Sequence, residues 1–454
     1  MSNSMLQADI VIVGAGPAGL AAACAAAESG EQVVVVDDTP WLGGQIWRGQ
    51  QAQPTLRQAQ RWLQRFRRCE APVVSGTSVI AAPAPGVLLA ERDQHPLKIE
   101  YQHLVLATGA RELFLPVPGW TLPGVMGPGG LLALAKNGWP VAGRRVIVAG
   151  SGPLLLAAAK GLRTLGAKIV SVAEQAPPSA VGKFALRLWS TPAKLLQGFE
   201  MKLALLSVPY RCGVWPACAE GGGQVQQVTL TNGHRTWTEA CDVLACGFGL
   251  TPNVELPLVT GCELTNGSVR VDEWQATTVT NIYCAGEPTG VGGAECALVE
   301  GQIAGYAAAG QSAKAEALFP VRATWHRFRA RLANAFALRP ELRALARDDT
   351  IFCRCEDVTL GQARRFTSWR EAKLQSRCGM GSCQGRVCGT AARAILGWTV
   401  DSVRPPVLPA QLGSLISEFT PEPSAAAQSD AARPQLTRAP AGEPEAGPVY
   451  TRSM

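Results

Sequence analysis

The stretch "DIVIVGAGPAGLAAACAAAESGEQVVVVDD", Asp9 to Asp38, reads as an apolar strand, a glycine-rich turn, an alanine-rich helix ending near Gly30 and a second apolar strand. That order is a βαβ unit. A lone G-x-G-x-x-G is weak evidence, but here Gly14, Gly16 and Gly19 follow a strand and open a helix, with Pro17 and Ala18 inside the turn, and Asp37 closes the next strand. Each residue type has a task at a dinucleotide. Gly14 allows the tight turn, Gly16 lets backbone approach a pyrophosphate, Gly19 lets helix pack on strand, and the helix N-terminus offers unpaired N–H groups. Asp37 can accept hydrogen bonds from a ribose hydroxyl. Ile10 to Ala27 carries no charge over about the length of a membrane span, yet the turn splits it into a buried strand and a buried helix.

A second copy begins at "RRVIVAGSGPLLLAAAKGLRTLGAKIVSVAEQ", Arg144 to Gln175. It keeps Gly150 and Gly152 and ends its second strand on Glu174, but Leu155 stands where the third glycine belongs. A leucine there should push the helix off the strand and loosen a pyrophosphate seat. Two readings stay open: a site for NAD, ATP or another adenine nucleotide, or a structural relic. Between the copies "HLVLATGARE" is a buried strand leading to a turn, and "NIYCAGEPTGVGGAECALVEGQIAG", Asn281 to Gly305, gives strand, loop and helix. The expected class is α/β, with a Rossmann-like first domain (1–120 and 275–320) interrupted by a second nucleotide domain (121–274).

The rest of the chain differs in composition. Residues 321–349 have a helical, arginine-rich pattern and read as a connector, either docking an acidic partner or lipid surface or simply exposing a solvated face. "FCRCEDV" and "RCGMGSCQGRVCG" then place Cys353, Cys355, Cys378, Cys383 and Cys388 within residues 350–412. Five of fourteen cysteines at such spacing, with glycines between them, suit an iron–sulfur cluster or a structural zinc better than a core. The Pro-, Ala- and Glu-rich stretch at 413–454 reads as a disordered tail.

The 454 residues, 47% hydrophobic with 48 glycines, suit two or three globular domains. The net charge of +7 is dispersed and no basic block with interleaved aromatics appears, which argues against nucleic acid. The first basic residue is Arg48, so no secretory or transit signal is expected and the chain should stay cytoplasmic. None of the four histidines lies in a motif suited to a general base. Cys212 and Cys218 read as core or loop thiols, and Trp189 and Trp325 as interface or packing residues.

"VVVVDDTPWLGGQIWR", "LVLATGARE" and the Asn281–Gly305 stretch resemble the FAD-binding signatures of the two-dinucleotide-domain flavoprotein family, which includes disulfide reductases. The resemblance implies FAD contacts at Gly43, Gly44, Gln45, Arg48, Thr108, Gly109, Gly286 and Glu287, besides the first glycine loop. Glu287 is one methylene longer than the family's usual aspartate. Disulfide reductases carry a cysteine pair after the Gly-Gly, whereas here Gln45, Ile46 and Trp47 follow, so no thiol reaches the flavin from there. The cysteine region resembles the bacterioferritin-associated-ferredoxin (BFD) type of [2Fe–2S] domain, implying Cys353, Cys355, Cys383 and Cys388 as ligands and Cys378 as the alternative.

With "GGQIWR", "GSGPLLLA" and "GMGSCQGR", almost the whole chain before the tail resembles the large flavoprotein subunits of the hydrogen cyanide synthase, opine oxidase and D-hydroxyproline dehydrogenase group. The resemblance implies a D-amino-acid-oxidase-like catalytic partner, in some members a small ferredoxin-like subunit, and electron delivery to a quinone or other acceptor. It leaves room for an FMN at a subunit interface and for a peripheral place on the inner membrane face. Two other readings compete: a self-sufficient NAD(P)H-dependent reductase, and a zinc-stabilised scaffold with a structural flavin.

Overall fold

β1 (Ser4–Val13), α1 (Pro17–Ala27) and β2 (Val33–Val36) form the expected βαβ unit in the computed structural model, which describes residues 4–50, 56–399 and 403–416. Valines and isoleucines fill both strands because both sheet faces are covered: Ile10, Val11, Ile12 and Val35 are completely buried. After α2 (Arg57–Arg68) and β3 (Val73–Val74), the strands β4 (Thr77–Ala84), β5 (Val87–Arg92) and β6 (His95–Leu106) complete one edge of the sheet. The order is β3-β2-β1-β6-β5-β4. On the side away from β1, β6 is long enough to serve two partners, pairing antiparallel with β5 through its first half and parallel to a later strand through its second.

The chain leaves this sheet through β7 (Ala110–Glu112) and builds a second one. It comprises β8 (Val125–Met126), α3 (Pro128–Lys136), β9 (Arg145–Gly150), α4 (Leu154–Thr164) and β10 (Lys168–Glu174). Helices α5 (Pro178–Arg187) and α6 (Pro192–Ala204) follow, then β11 (Tyr210–Cys212). The antiparallel layer β12 (Trp215–Glu220), β13 (Gln227–Thr231) and β14 (Thr236–Ala240) covers it before β15 (Val243–Gly247) closes the order β11-β10-β9-β15-β8.

The return strand β16 (Leu250–Pro252) pairs antiparallel with β7, so the two crossings between domains form one two-stranded hinge. After it α7 (Glu255–Val259) and the hairpin β17 (Leu264–Thr265)–β18 (Ser268–Val269) pack Leu256, Cys262 and Val269 against Val11 and Leu88 of the first sheet. Residues 256–269 therefore lie with the first domain, although the sequence reading carried the second domain on to 274. Their apolar positions are too sparse to reveal which sheet they cover. β19 (Ile282–Cys284) then takes the second half of β6, and α8 (Ala294–Ala308) lies along α1.

Gly301 and Gly305 let α1 and α8 touch backbone to backbone. A Cβ at Gly301 would lie 2.1 Å from the Ala18 carbonyl oxygen, and one at Gly305 2.3 Å from that of Ala22. Gly301→Ala is expected to cost about 1–3 kcal/mol by overpacking. The measurement is thermal unfolding of the flavin-loaded chain, and an unchanged midpoint would contradict this packing.

α9 (Ser312–Glu316) leads to α10 (Phe319–Ala335), the expected connector helix. It is not a simple solvated face, because Arg322 donates to the Glu273 carbonyl, Arg331 to the Ser190 hydroxyl, and His326 and Arg329 point at Glu300. Trp325 meets Phe328 edge-on at 5.8 Å, whereas Trp189 is 83% exposed. Beyond it come β20 (Ile351–Cys353), β21 (Val358–Thr359), α11 (Leu360–Ala363), α12 (Trp369–Ser376) and α13 (Cys388–Leu396) around a separate small core. α14 (Leu412–Ile416) is ordered: Leu415 packs on Ile80 and Leu89, so the tail expected from 413 begins no earlier than 417. The remainder of that expectation, 417–454, lies outside the described residues. No helix among the described residues is long and apolar enough to cross a membrane.

Candidate flavin site and thiol cluster

The first glycine loop sits at the carboxyl end of β1, where a βαβ sheet opens its crevice. Gly14 has φ +110°, and a Cβ there would lie 2.3 Å from the Ala107 carbonyl oxygen. A Cβ on Gly19 would lie 1.7 Å from the Gly14 oxygen, so this helix presses onto its strand as the motif requires. Gly44 approaches Gly16 so closely that a Cβ on it would be 3.0 Å from the Gly16 Cα, and Gly286 packs on Ala18. Pro17 and Ala18 form the first turn of α1. Asp37 accepts the Ala15 N–H at 2.5 Å and the Thr39 N–H at 2.7 Å.

Among the other residues expected here, Thr108 and Asn253 bond reciprocally at 2.8 Å, which ties Gly109 to the hinge. Gln45 is exposed, and burial chiefly pushes the Asp38 carboxyl up, a rise that the half-buried Arg48 offsets only in part.

Glu287 points to the occupant. Its Oε1 accepts the Gly293 N–H at 2.9 Å, while its Oε2 is buried with no hydrogen-bond partner among the described residues. Burial pushes this carboxyl up to about 7. A buried acceptor left unmatched is costly. A hydroxyl of a flavin ribityl chain would satisfy it, so the residues present fit FAD.

A group that sequence reading missed holds Glu287 in place. Glu300, 1% exposed, accepts the Gly286 N–H and the Thr289 hydroxyl at 2.9 Å each through Oε2. Its Oε1 meets His326 at 2.8 Å and the Arg329 guanidinium at 3.4 Å, and Cys296 lies beside it at 3.4 Å. The connector helix thereby braces the flavin turn.

The second loop repeats the first, with a difference above it. Gly152 N–H donates to Glu174 at 2.7 Å and Ala176 N–H at 2.8 Å, and burial pushes Glu174 up to about 7. A Cβ on Gly150 would lie 1.7 Å from the Gly247 oxygen, so this turn is also tight. Leu155, 1% exposed, fills the space between α4 and its sheet, and α4 starts at Leu154, four residues after Gly150, where α1 starts three after Gly14. Residues Phe336–Arg339 then lie across the loop as a strap. Ser151 Oγ donates to the Phe336 carbonyl at 3.1 Å. Gln175 Nε2 donates to Ser151 Oγ at 2.9 Å and the Ala337 carbonyl at 3.1 Å, and the Arg339 N–H returns to Gln175 Oε1 at 3.2 Å. The Phe336 ring stands over Gly152 and meets Phe184 edge-on at 5.2 Å. The strap thus crosses the second glycine loop just before the N-terminus of α4.

The five clustered thiols converge. Sulfur atoms of Cys353, Cys378 and Cys388 lie within 4.8 Å of one another, Cys383 lies beside Cys388 and Cys355, and Gly379 N–H donates to the Cys353 sulfur at 3.4 Å. Hydrogen bonds from Cys378 and Cys388 drive Cys353 down to about 2, and those from Cys388 chiefly drive Cys383 down to about 5; Cys388 is pushed up in exchange. Thiolate character in a group of sulfurs is what a metal or cluster requires.

Cys378, set aside in the sequence reading, lies inside the tight group, and Cys355 is exposed at its rim. Two of the three glycines have another reason to be there, since a Cβ on Gly379 or Gly385 would come within 2.5 or 2.9 Å of the Trp369 ring. Only Gly381 faces a thiol, that of Cys355. Arg111 of the hinge donates at 3.1 Å to the Arg386 carbonyl, in the loop between Cys383 and Cys388, and so joins this module to the flavin domain. Cys212 and Cys218 lie apart from the cluster, half-buried in the second domain.

Residues 8–313 match the family described as pyridine nucleotide-disulphide oxidoreductase. Hydrogen cyanide synthase subunit HcnB of Pseudomonas aeruginosa is 31% identical over 421 residues, covering 83% of this chain and 90% of the relative. The opine oxidase A-subunit of Rhizobium meliloti is 30% identical over 472 residues, covering 91% and 99%. Among solved structures, L-proline dehydrogenase from P. horikoshii shares the fold with a TM-score of 0.62 at 20% identity, over 91% of this chain and 80% of that one. The thioredoxin reductase of T. acidophilum, at TM-score 0.52 and 21% identity, uses 99% of its length to cover 68% of this chain. The chain therefore belongs to the pyridine nucleotide-disulphide oxidoreductase family of FAD-binding flavoproteins, in the group that holds hydrogen cyanide synthase subunit HcnB and the opine oxidase A-subunit.

Proposed function

We propose that the chain is the electron-transfer subunit of a multi-subunit dehydrogenase acting on CH–NH or CH–NH2 donors, an amine or imino acid of the D-hydroxyproline, opine or glycine type. The substrate's C–N bond is oxidised to C=N on a D-amino-acid-oxidase-like partner, whose two electrons reach this chain and leave it for a quinone or other acceptor. A small ferredoxin-like subunit can complete the complex, which works in the cytoplasm or against the inner membrane face. FAD takes electrons in pairs and a [2Fe–2S] cluster passes them singly, so the two together supply the conversion.

The observation that carries this reading is the Phe336–Arg339 strap, because it denies nicotinamide the seat from which a reductase of this fold would be fed. The chain's own residues then have defined tasks. Gly14, Gly16 and Gly19 cradle the flavin pyrophosphate, Glu287 holds a ribityl hydroxyl, and Cys353, Cys355, Cys383 and Cys388 hold the cluster in a module bonded to the hinge through Arg111. The choice against Cys378 is the one that the resemblance to the BFD-type domain implies, with Cys378, buried beside Cys353 and Cys388, as the alternative to the exposed Cys355.

An anaerobic visible spectrum before and after dithionite, with iron and acid-labile sulfide counted on the same sample, tests the proposal. Flavin bands with about two irons and two sulfides per chain are expected. Flavin with zinc and no sulfide would replace the proposal with the scaffold reading.

A further inference from the structure

A cavity of about 610 Å3 opens where the thiol module meets the flavin domain. Its walls are α7 and the strand after it (Leu258, Leu264), α12 and the thiol loop (Leu374, Met380), and the segment Val403–Pro409. Besides Arg111, four cations line it: Arg370, Lys373, Arg393 and Arg404. None of the four side chains makes a hydrogen bond or ion pair among the described residues. Among the described residues the lining holds one acid, Glu255, and it is already held by Arg111 through bonds of 2.6 and 3.0 Å. The Arg393 guanidinium lies against Gly267, where a Cβ would come within 1.3 Å of Nη1.

A solvated basic face would explain dispersed arginines on a convex surface. It does not explain four uncompensated positive charges around a concavity, where their mutual repulsion is strongest and the field is focused inward. Nor does it explain why Leu374 and Met380, 67% and 42% exposed, turn apolar surface into the same space. Cations beside unsheltered apolar groups, in a volume of this size, are the lining of a small-molecule site.

We propose that this seam binds an amphipathic organic anion, its phosphate or carboxylate head held by Lys373, Arg393 and their two neighbours and its apolar body laid on Leu258, Leu374 and Met380. The site is distinct from both nucleotide loops and does not depend on what the thiols hold. Met380 and Gln384 belong to the loop that carries Cys383, so a bound anion bridges the thiol module to the flavin domain and favours their closed seam.

The test titrates the full, flavin-loaded chain with 1-naphthyl phosphate, with 1-naphthol and inorganic phosphate as the separated halves. The phosphate ester should bind saturably, at least about tenfold tighter than either half, and more weakly as salt rises. A Lys373→Gln/Arg393→Gln double variant should lose about tenfold or more in affinity while keeping its flavin and metal content. Both residues are outside the flavin and thiol sites, so retained flavin and metal verify the fold of the variant. Absence of saturable binding, or equal affinity in the double variant, would overturn the site. Inorganic phosphate binding as tightly as the ester would overturn the apolar half of the proposal.

Discussion

Cys388→Ser is expected to reduce iron and acid-labile sulfide from about two each per chain to background, while the flavin stays bound. Cys388 opens α13, is 1% exposed and lies beside Cys353, Cys378 and Cys383, and it belongs to the proposed ligand set with or without the exchange of Cys355 for Cys378. The oxygen of serine is a far poorer ligand for iron than a thiolate sulfur, and the substitution changes the volume of the site little. The flavin loop belongs to a different core, built around α1 and α8, from the one that holds Cys388. The same assay separates the remaining thiols. Cys355→Ser should also lose the metal, Cys378→Ala should keep it, and Cys218→Ser should behave as the parent. Iron retained in the Cys388 variant would remove the cluster from the proposal, and iron lost on changing Cys378 but kept on changing Cys355 would exchange those two ligands.

What could be read from the sequence was whatever is local. The spacing of Gly14, Gly16 and Gly19 against β1 states a turn and a helix start within a few residues, and the structure builds that turn as the spacing requires. The hinge was less legible because β7 and β16 are three residues each and owe their pairing to distance in the chain, not to pattern. Glu300 could have been noticed as an acid inside an otherwise apolar, glycine-containing helix, but its partners His326 and Arg329 come from another element altogether. Gly379 and Gly385 misled in the other direction. They looked like accommodations to a cluster, and the Trp369 ring accounts for them.

NADH and NADPH should leave the flavin oxidised under anaerobic conditions in which dithionite bleaches it. Sequence alone offered only Leu155 as a reason, and that reason is weak, since the structure absorbs the leucine into the core of the second domain and still forms a tight Gly150 turn. The stronger reason is the strap. A dinucleotide would have to break the bonds from Ser151 and Gln175 to Phe336 and Ala337 and the return bond from Arg339, and lift a half-buried phenylalanine from Phe184. At about 1 kcal/mol net for each of three bonds and about 1 more for the ring, the penalty is about 4 kcal/mol, a loss of roughly a thousandfold in affinity. Arg339 also stacks its guanidinium on the buried Trp215 at 4.9 Å, which holds the strap to the body of the domain. Phe336→Gly with Gln175→Ala should recover part of that affinity, read as nucleotide binding by calorimetry. Rapid bleaching of the parent flavin by NADH would mean that the strap opens readily, and the chain would then be its own reductase, with no need of a partner to supply electrons.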